Sequence, residues 1–169
     1  IVLRGYSKKD FSKLEIIKQE NFTGNSNNLI DYNISIGKEL SYSLNLQIGD
    51  KIIIMSPSGV GTIIGNLPKQ QTFIVSSIFD SGLADFDQNI AFININSLEN
   101  FFDLNKKDRN LEIYLRDPQN IEKMKIKIQS IFNNEIIYTW SDMNSSLFSA
   151  LKVERNVMFI ILSLIIIVA

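Results

Sequence analysis

The chain has 169 residues, 17 Lys and Arg against 18 Asp and Glu, a net charge of −1, and neither cysteine nor histidine. That length is enough to bury a real core, while the balanced charge and the lack of a basic stripe argue against a nucleic-acid partner. Without cysteine there is no disulfide framework or thiol nucleophile, and without histidine the commonest general base and metal ligand are missing.

In chain order, IVLRGY (1–6) predicts a strand, followed by a polar stretch holding a short helical or extended piece and an Asn-rich loop at 25–28. LIDYNISI (29–36) alternates as a strand does. GKELSYSLNL sets Leu40 and Leu44 four apart, the spacing of a short helix after Gly37. KIIIM and TFIVSSIF are strand-like runs on either side of a loop bracketed by Pro57 and Pro68. FDSGLADFDQ predicts a loop, QNIAFINI a strand, and SLENFFDL a short helix capped by Ser97.

The C-terminal third changes character. NLEIYLRD (110–117) predicts a strand, Asp117-Pro118 a helix start, and Ile121, Met124, Ile128 and Ile131 fall on one helical face. NEIIYTW (134–140) would close a β-α-β unit. A last helix, with Ser141 as its cap, carries Met143, Leu147 and Leu151 at intervals of four and continues into VMFIILSLIIIVA. That run has 13 residues and no charge, whereas a membrane span needs roughly 20 apolar residues. The chain also begins at Ile1, within a strand-like run. The expectation is a piece of a longer membrane protein whose apolar helix starts at 157.

Most candidate sites dissolve on inspection. Gly59-x-Gly61-x-x-x-Gly65 leads into Asn66-Leu67-Pro68 and a strand, so no helix N-terminus is there to hold phosphate. Asp80, Asp85 and Asp87 lack the spacing and closing glutamate of a calcium loop and fit a solvated loop. Trp140 fits a core or junction anchor at the end of its strand, and Lys152, Glu154 and Arg155 fit membrane-edge polar residues. The loop at 57–68 stands apart because Val60, Ile63, Ile64 and Leu67 occupy a turn region that should be polar. Either they fold back on their own sheet, or the loop projects and its apolar tip is a contact surface.

The hairpin IIIMSPSGVGTIIGNLPKQQTFIV and the segment LFSALKVERNVMFIILSLIIIVA, with the order of elements between them, resemble the LolC/LolE permeases of the MacB/FtsX superfamily. The resemblance implies an α+β fold, a MacB-like periplasmic domain. Residues 1–106 would be a β-rich sabre-like subdomain, 107–140 a porter-like β-α-β unit, 141–156 a stalk helix and 157–169 the start of a transmembrane helix. A first span and first porter unit would precede Ile1.

The resemblance also implies a function. These proteins are inner-membrane, multi-pass subunits of the ABC transporter that releases lipoproteins, and the segment would be mostly periplasmic. The hairpin loop is the family's hook for a LolA-like periplasmic chaperone: Pro57, Ser58, Gly59, Val60, Gly61, Thr62, Ile63, Ile64, Gly65, Asn66, Leu67 and Pro68. A supporting pad falls on Ile53, Gln70 and Gln71. Gln70 fits the family pattern, whereas Ile53 and Gln71 stand where arginine is usual, and Ile63 where proline is often found. The loop is also about one residue shorter than usual. Val157, Met158, Phe159, Ile160, Ile161 and Leu162 would contact membrane lipid. The implied partners are a LolD-like ATPase subunit, a second LolC/LolE-type permease subunit and the lipoprotein substrate. No cofactor is expected in this chain, because ATP would be used by the separate ATPase, and no enzyme activity is expected. Two alternatives stay open: a MacB/FtsX-type permease for efflux or cell-wall hydrolase signalling, and a membrane-anchored sensor domain.

Overall fold

A computed structural model describes residues 1–62 and 65–168, with side chains at all of these except 57, 58, 60–62, 65, 66 and 119. The chain divides into two compact units, Ile1–Asn110 and Leu111–Ala169.

The first unit holds β1 (Val2–Tyr6), α1 (Lys8–Phe11), β2 (Thr23–Gly24), β3 (Asn33–Gly37), α2 (Lys38–Leu44), β4 (Lys51–Thr62), β5 (Gly65–Phe79), α3 (Ala84–Asn89), β6 (Ile90–Asn94) and α4 (Ile95–Phe102). Its mixed sheet runs β1-β6-β3-β5-β2, with β4 paired to β5. β1 lies parallel to β6 and β3 parallel to β5, while β3–β6, β2–β5 and β4–β5 are antiparallel. This mixture of helices and a mixed sheet agrees with the α+β expectation.

The sheet has apolar residues on both faces. Ile34, Ile36, Phe73, Val75, Ala91 and Ile93 form one cluster with Leu40. Phe11, Ile17, Leu29, Phe79 and Phe92 form another. Alternation along TFIVSSIF predicts one buried face, yet Val75 and Phe79 belong to different clusters. The reason is a register shift: Ile34 pairs with Val75, but Ser35 pairs with Ser77. The extra residue, Ser76, reverses the faces beyond it. Ser77 and Ser35, both buried, then satisfy each other through a 2.8 Å hydroxyl hydrogen bond.

Local expectations change where packing decides. α4 starts two residues before Ser97, because the Asn94 side chain accepts from the Asn96 N–H at 2.9 Å and serves as the cap. Ser97 is buried and donates to the Asp31 carbonyl instead. The region expected as a loop at 79–88 contains α3.

The second unit holds α5 (Ile121–Ile131), entered through a 3-10 turn at Pro118–Asn120, then α6 (Trp140–Met143) and α7 (Ser145–Val168). The strands expected at 110–117 and 134–140 are absent among the described residues, so of the β-α-β unit only the helix forms. Leu111, Ile113, Ile136 and Tyr138 are exposed there, with no described segment paired beside them. Alternation supplies half of a strand's requirement; the other half is a neighbour in the ladder. Thr139, rather than Ser141, caps the turn that follows: its hydroxyl accepts from the Asp142 N–H at 3.1 Å, and Asp142 accepts from the Thr139 N–H at 2.9 Å. No helix among the described residues is long and apolar enough to cross a membrane. The uncharged part, 157–168, is exposed apart from half-buried Ser163 and extends about 18 Å at 1.5 Å per residue.

Candidate functional site

β4 and β5 build a two-stranded ribbon. Their ladder runs without interruption from Lys51↔Ile74 to Ser56↔Lys69, then resumes from Val60↔Leu67 to Thr62↔Gly65. β-branched and aromatic residues at 52–54 and 72–75 favour this extended pair. β3 borders β5 only from Ile74 onward, so the part of β5 from Ile74 to Gly65 reaches beyond the six-stranded region. At about 3.3 Å per residue this is roughly 30 Å of ribbon.

The interruption has a local cause. Residues 57–59 together face Pro68 alone, and proline supplies no N–H to a ladder. Gly59 lies so close to the opposite strand that a Cβ there would sit 1.9 Å from the Leu67 carbonyl oxygen. Glycine is therefore required by close approach, rather than by any phosphate chemistry.

The two ribbon faces differ. On one, Phe73 is fully buried, Ser56 is buried, and Ile52 and Ile54 pack against the core. Phe73 meets Phe101 of α4 edge-on, with centroids 6.4 Å apart. On the other face Ile53 is 59% exposed and Met55 60% exposed, beside exposed Thr72 and Gln70. Farther out, Leu67 is 54% exposed.

Of the three pad positions, Ile53 and Gln70 share the exposed face. Gln71 pairs with Ile54 on the opposite face, where its amide donates to the Thr72 carbonyl at 3.2 Å. Of the hook, the backbone at 57–62 and 65–68 is in strand, and Leu67 and Pro68 are exposed. Ile63 and Ile64, and the Val60 side chain, lie outside the described residues. Two residues that sequence reasoning missed belong to this site. Met55 was legible, since it is two residues from Ile53 on the same strand. Lys69 was not, because its partners, Asn100 and Asp103, are more than thirty positions away.

The acidic loop is a structural latch. Buried Asp87 accepts from the Ser81 N–H at 3.0 and 3.1 Å and from its hydroxyl at 2.5 Å. Asp80 accepts from Lys38 Nζ at 2.8 Å and from the Gly82 N–H at 3.1 Å. Chiefly the Lys38 hydrogen bond holds the Asp80 carboxyl below the ordinary aspartate value. Asp85 is exposed. Among the described residues no group of three acidic side chains is placed to hold a metal ion. Trp140 is 60% exposed and so is not a core anchor; it begins α6 and meets Phe148 edge-on at 5.2 Å. Lys152, Glu154 and Arg155 are exposed on α7.

No protein-family model matches the chain. Curated relatives do. The chain is 27% identical over 168 residues to the lipoprotein-releasing system transmembrane protein LolC of Xylella fastidiosa (strain Temecula1), covering 98% of this chain and 40% of that protein. It is 29% identical over 141 residues to LolC of Neisseria meningitidis serogroup B, covering 82% and 34% respectively. With LolC of Buchnera aphidicola subsp. Acyrthosiphon pisum it shares 30% over 135 residues, covering 79% and 33%. The chain belongs to the LolC family.

This LolC-family chain spans a third to two fifths of the length of those relatives. The match to the Xylella protein covers nearly the whole chain, so it includes both units and the ribbon.

Proposed function

We propose that this chain is the periplasmic segment of an inner-membrane LolC-type permease subunit, and that the β4–β5 hairpin docks a LolA-like periplasmic chaperone. The observation that carries the docking reading is the ribbon itself. One face is anchored on Phe101 while the other presents Ile53 and Met55, and Leu67 is exposed farther out. Exposed aliphatic side chains on a rigid projecting support suit an apolar partner surface, which a carrier of lipidated proteins would provide.

In this reading residues 1–106 form the sabre-like subdomain, 107–140 the porter-like unit, 141–156 the stalk and 157–169 the start of the membrane helix. The work is mechanical. A separate LolD-like ATPase hydrolyses ATP, its closure moves the membrane helices, and a lipoprotein is passed from the membrane to the chaperone. A second LolC/LolE-type subunit completes the permease. The pad is reduced to Ile53 and Gln70, joined by Met55, and carries no arginine.

Replacing residues 59–66 by Asn-Gly, a sequence suited to a two-residue hairpin turn, tests the docking reading. The trimmed chain should keep its fold and lose capture of a LolA-type chaperone in a pull-down, while Lys8→Ala leaves capture intact. Undiminished capture by the trimmed chain would refute the hook.

A further inference from the structure

The ribbon is fastened to α4 at two points. The inner one is the Phe73–Phe101 contact. Four residues farther out, Lys69 Nζ donates to the Asn100 carbonyl at 2.9 Å and to both Asp103 carboxylate oxygens at 3.0 Å. These acceptors lie at the C-terminal end of α4, where the chain turns into the left-handed region at Asp103 (φ 55°). The Asp103 and Leu104 N–H groups both bond to the Glu99 carbonyl, so at the Asn100 carbonyl the Lys69 ammonium serves as donor. A cation also complements the negative end of the helix.

The position of Lys69 along the ribbon gives this contact its meaning. Lys69 and Ser56 are the last pair before residues 57–59 break the ladder opposite Pro68. A two-stranded ribbon has little stability alone, and its twist varies more than that of a wide sheet. A clamp at its last regular pair therefore fixes the direction of everything beyond.

We infer that Lys69 is the positioning residue of the hairpin: its clamp on the C-terminal end of α4 sets the direction in which the outer hairpin leaves the sheet. Resting on the docking reading, this makes Lys69 a determinant of chaperone association through orientation rather than contact.

The chain has no cysteine, so nitroxide labels at Leu67→Cys and Ser43→Cys report one distance in the full chain. Lys69→Met keeps the aliphatic stem and removes the donors. Its label distance distribution should broaden about twofold, as a ribbon released from its support would. The thermal midpoint should move by less than about 4 °C, because ion pairs this exposed contribute little to stability. Lys69→Arg should restore the narrow distribution, since a guanidinium can serve the same acceptors. An unchanged width in Lys69→Met overturns the clamp. A larger fall in the midpoint overturns it too, by making Lys69 a general structural residue. On the unlabelled full chain, association with a LolA-type chaperone should slow several-fold in Lys69→Met and recover in Lys69→Arg. Failure of the parent chain to bind the chaperone would defeat the docking reading alone, because the distance measurement still decides the clamp. Unchanged association beside a broadened distribution would overturn the role of Lys69 in docking.

Discussion

Lys125 Nζ lies 2.7 Å from the Asp142 carboxylate, tying α5 to the turn that precedes α7. Asp142 also accepts from the Thr139 N–H, and it is Thr139 that caps that turn. One carboxylate therefore joins a long-range ion pair to a local capping box.

This arrangement makes a pH prediction. The Lys125 hydrogen bond, with those from Thr139, holds the Asp142 carboxyl down from the ordinary 3.8 to about 2. A depressed folded value adds stability that is present above 3.8 and lost as pH falls toward about 2. The Lys125 ammonium is shifted upward, chiefly by the same hydrogen bond, from the ordinary 10.5. Its contribution is present below 10.5 and lost as pH rises through the raised value. Carboxyl NMR should show Asp142 titrating near 2. In Lys125→Met the midpoint should rise without reaching the ordinary value, because the Thr139 donors remain. A midpoint unchanged by Lys125→Met would contradict the pairing.

The two faces of the ribbon should respond differently to mutation. Phe73 is fully buried, so Phe73→Ala should destabilise by about 3–5 kcal/mol in urea unfolding. Ile53 is mostly exposed, and Ile53→Lys should stay within about 0.5 kcal/mol of the parent. Equal losses at both positions would show that the exposed face is covered within the chain.

Gly59→Ala tests the close approach of the strands. The new Cβ would meet the Leu67 carbonyl oxygen at 1.9 Å and its carbon at 2.5 Å, forcing the outer strands apart at about 1–3 kcal/mol. Hydrogen exchange should accelerate at Leu67 and leave the Val75 amide protected. Unaltered protection at Leu67 would mean that the strands are farther apart there.

Asp87 should behave as a structural acceptor. Removing it leaves the Ser81 N–H and hydroxyl without that partner, and Asp87→Ala should destabilise by about 1–3 kcal/mol in urea. Asp85→Ala, at an exposed position, should lie within about 0.5 kcal/mol of the parent. The reverse ranking would contradict the latch.

Much of the first unit was legible because its signals are local. Strands at 2–6 and 33–37, the helix after Gly37 and the two long strands around residues 57–68 follow from alternation, four-residue spacing and turn residues. The strand expected at 29–36, however, begins only at Asn33, after a turn at Asp31 (φ 46°). Helix caps were less legible. Ser97 and Ser141 have suitable side chains, yet Asn94 and Thr139 stand where the backbone actually enters the helices. A cap depends on the conformation of one residue, which its neighbours in space help decide.

By itself the sequence determined that the chain has a sizeable core, an apolar C-terminal run and an unusually aliphatic turn between two strands, and it carried the likeness to the LolC family. Tertiary structure alone decided the rest. The shift at Ser76 sends Val75 and Phe79 to opposite faces although both sit at buried positions of one alternating run. Alternation separates Gln70 from Gln71, but only the ladder register decides that Gln70 is the one that shares the face of Ile53. The segments 110–117 and 134–139 alternate like strands but join no sheet among the described residues. A strand is completed by hydrogen bonds to a neighbour, and a helix end finds its lysine across thirty residues only once both elements are in place.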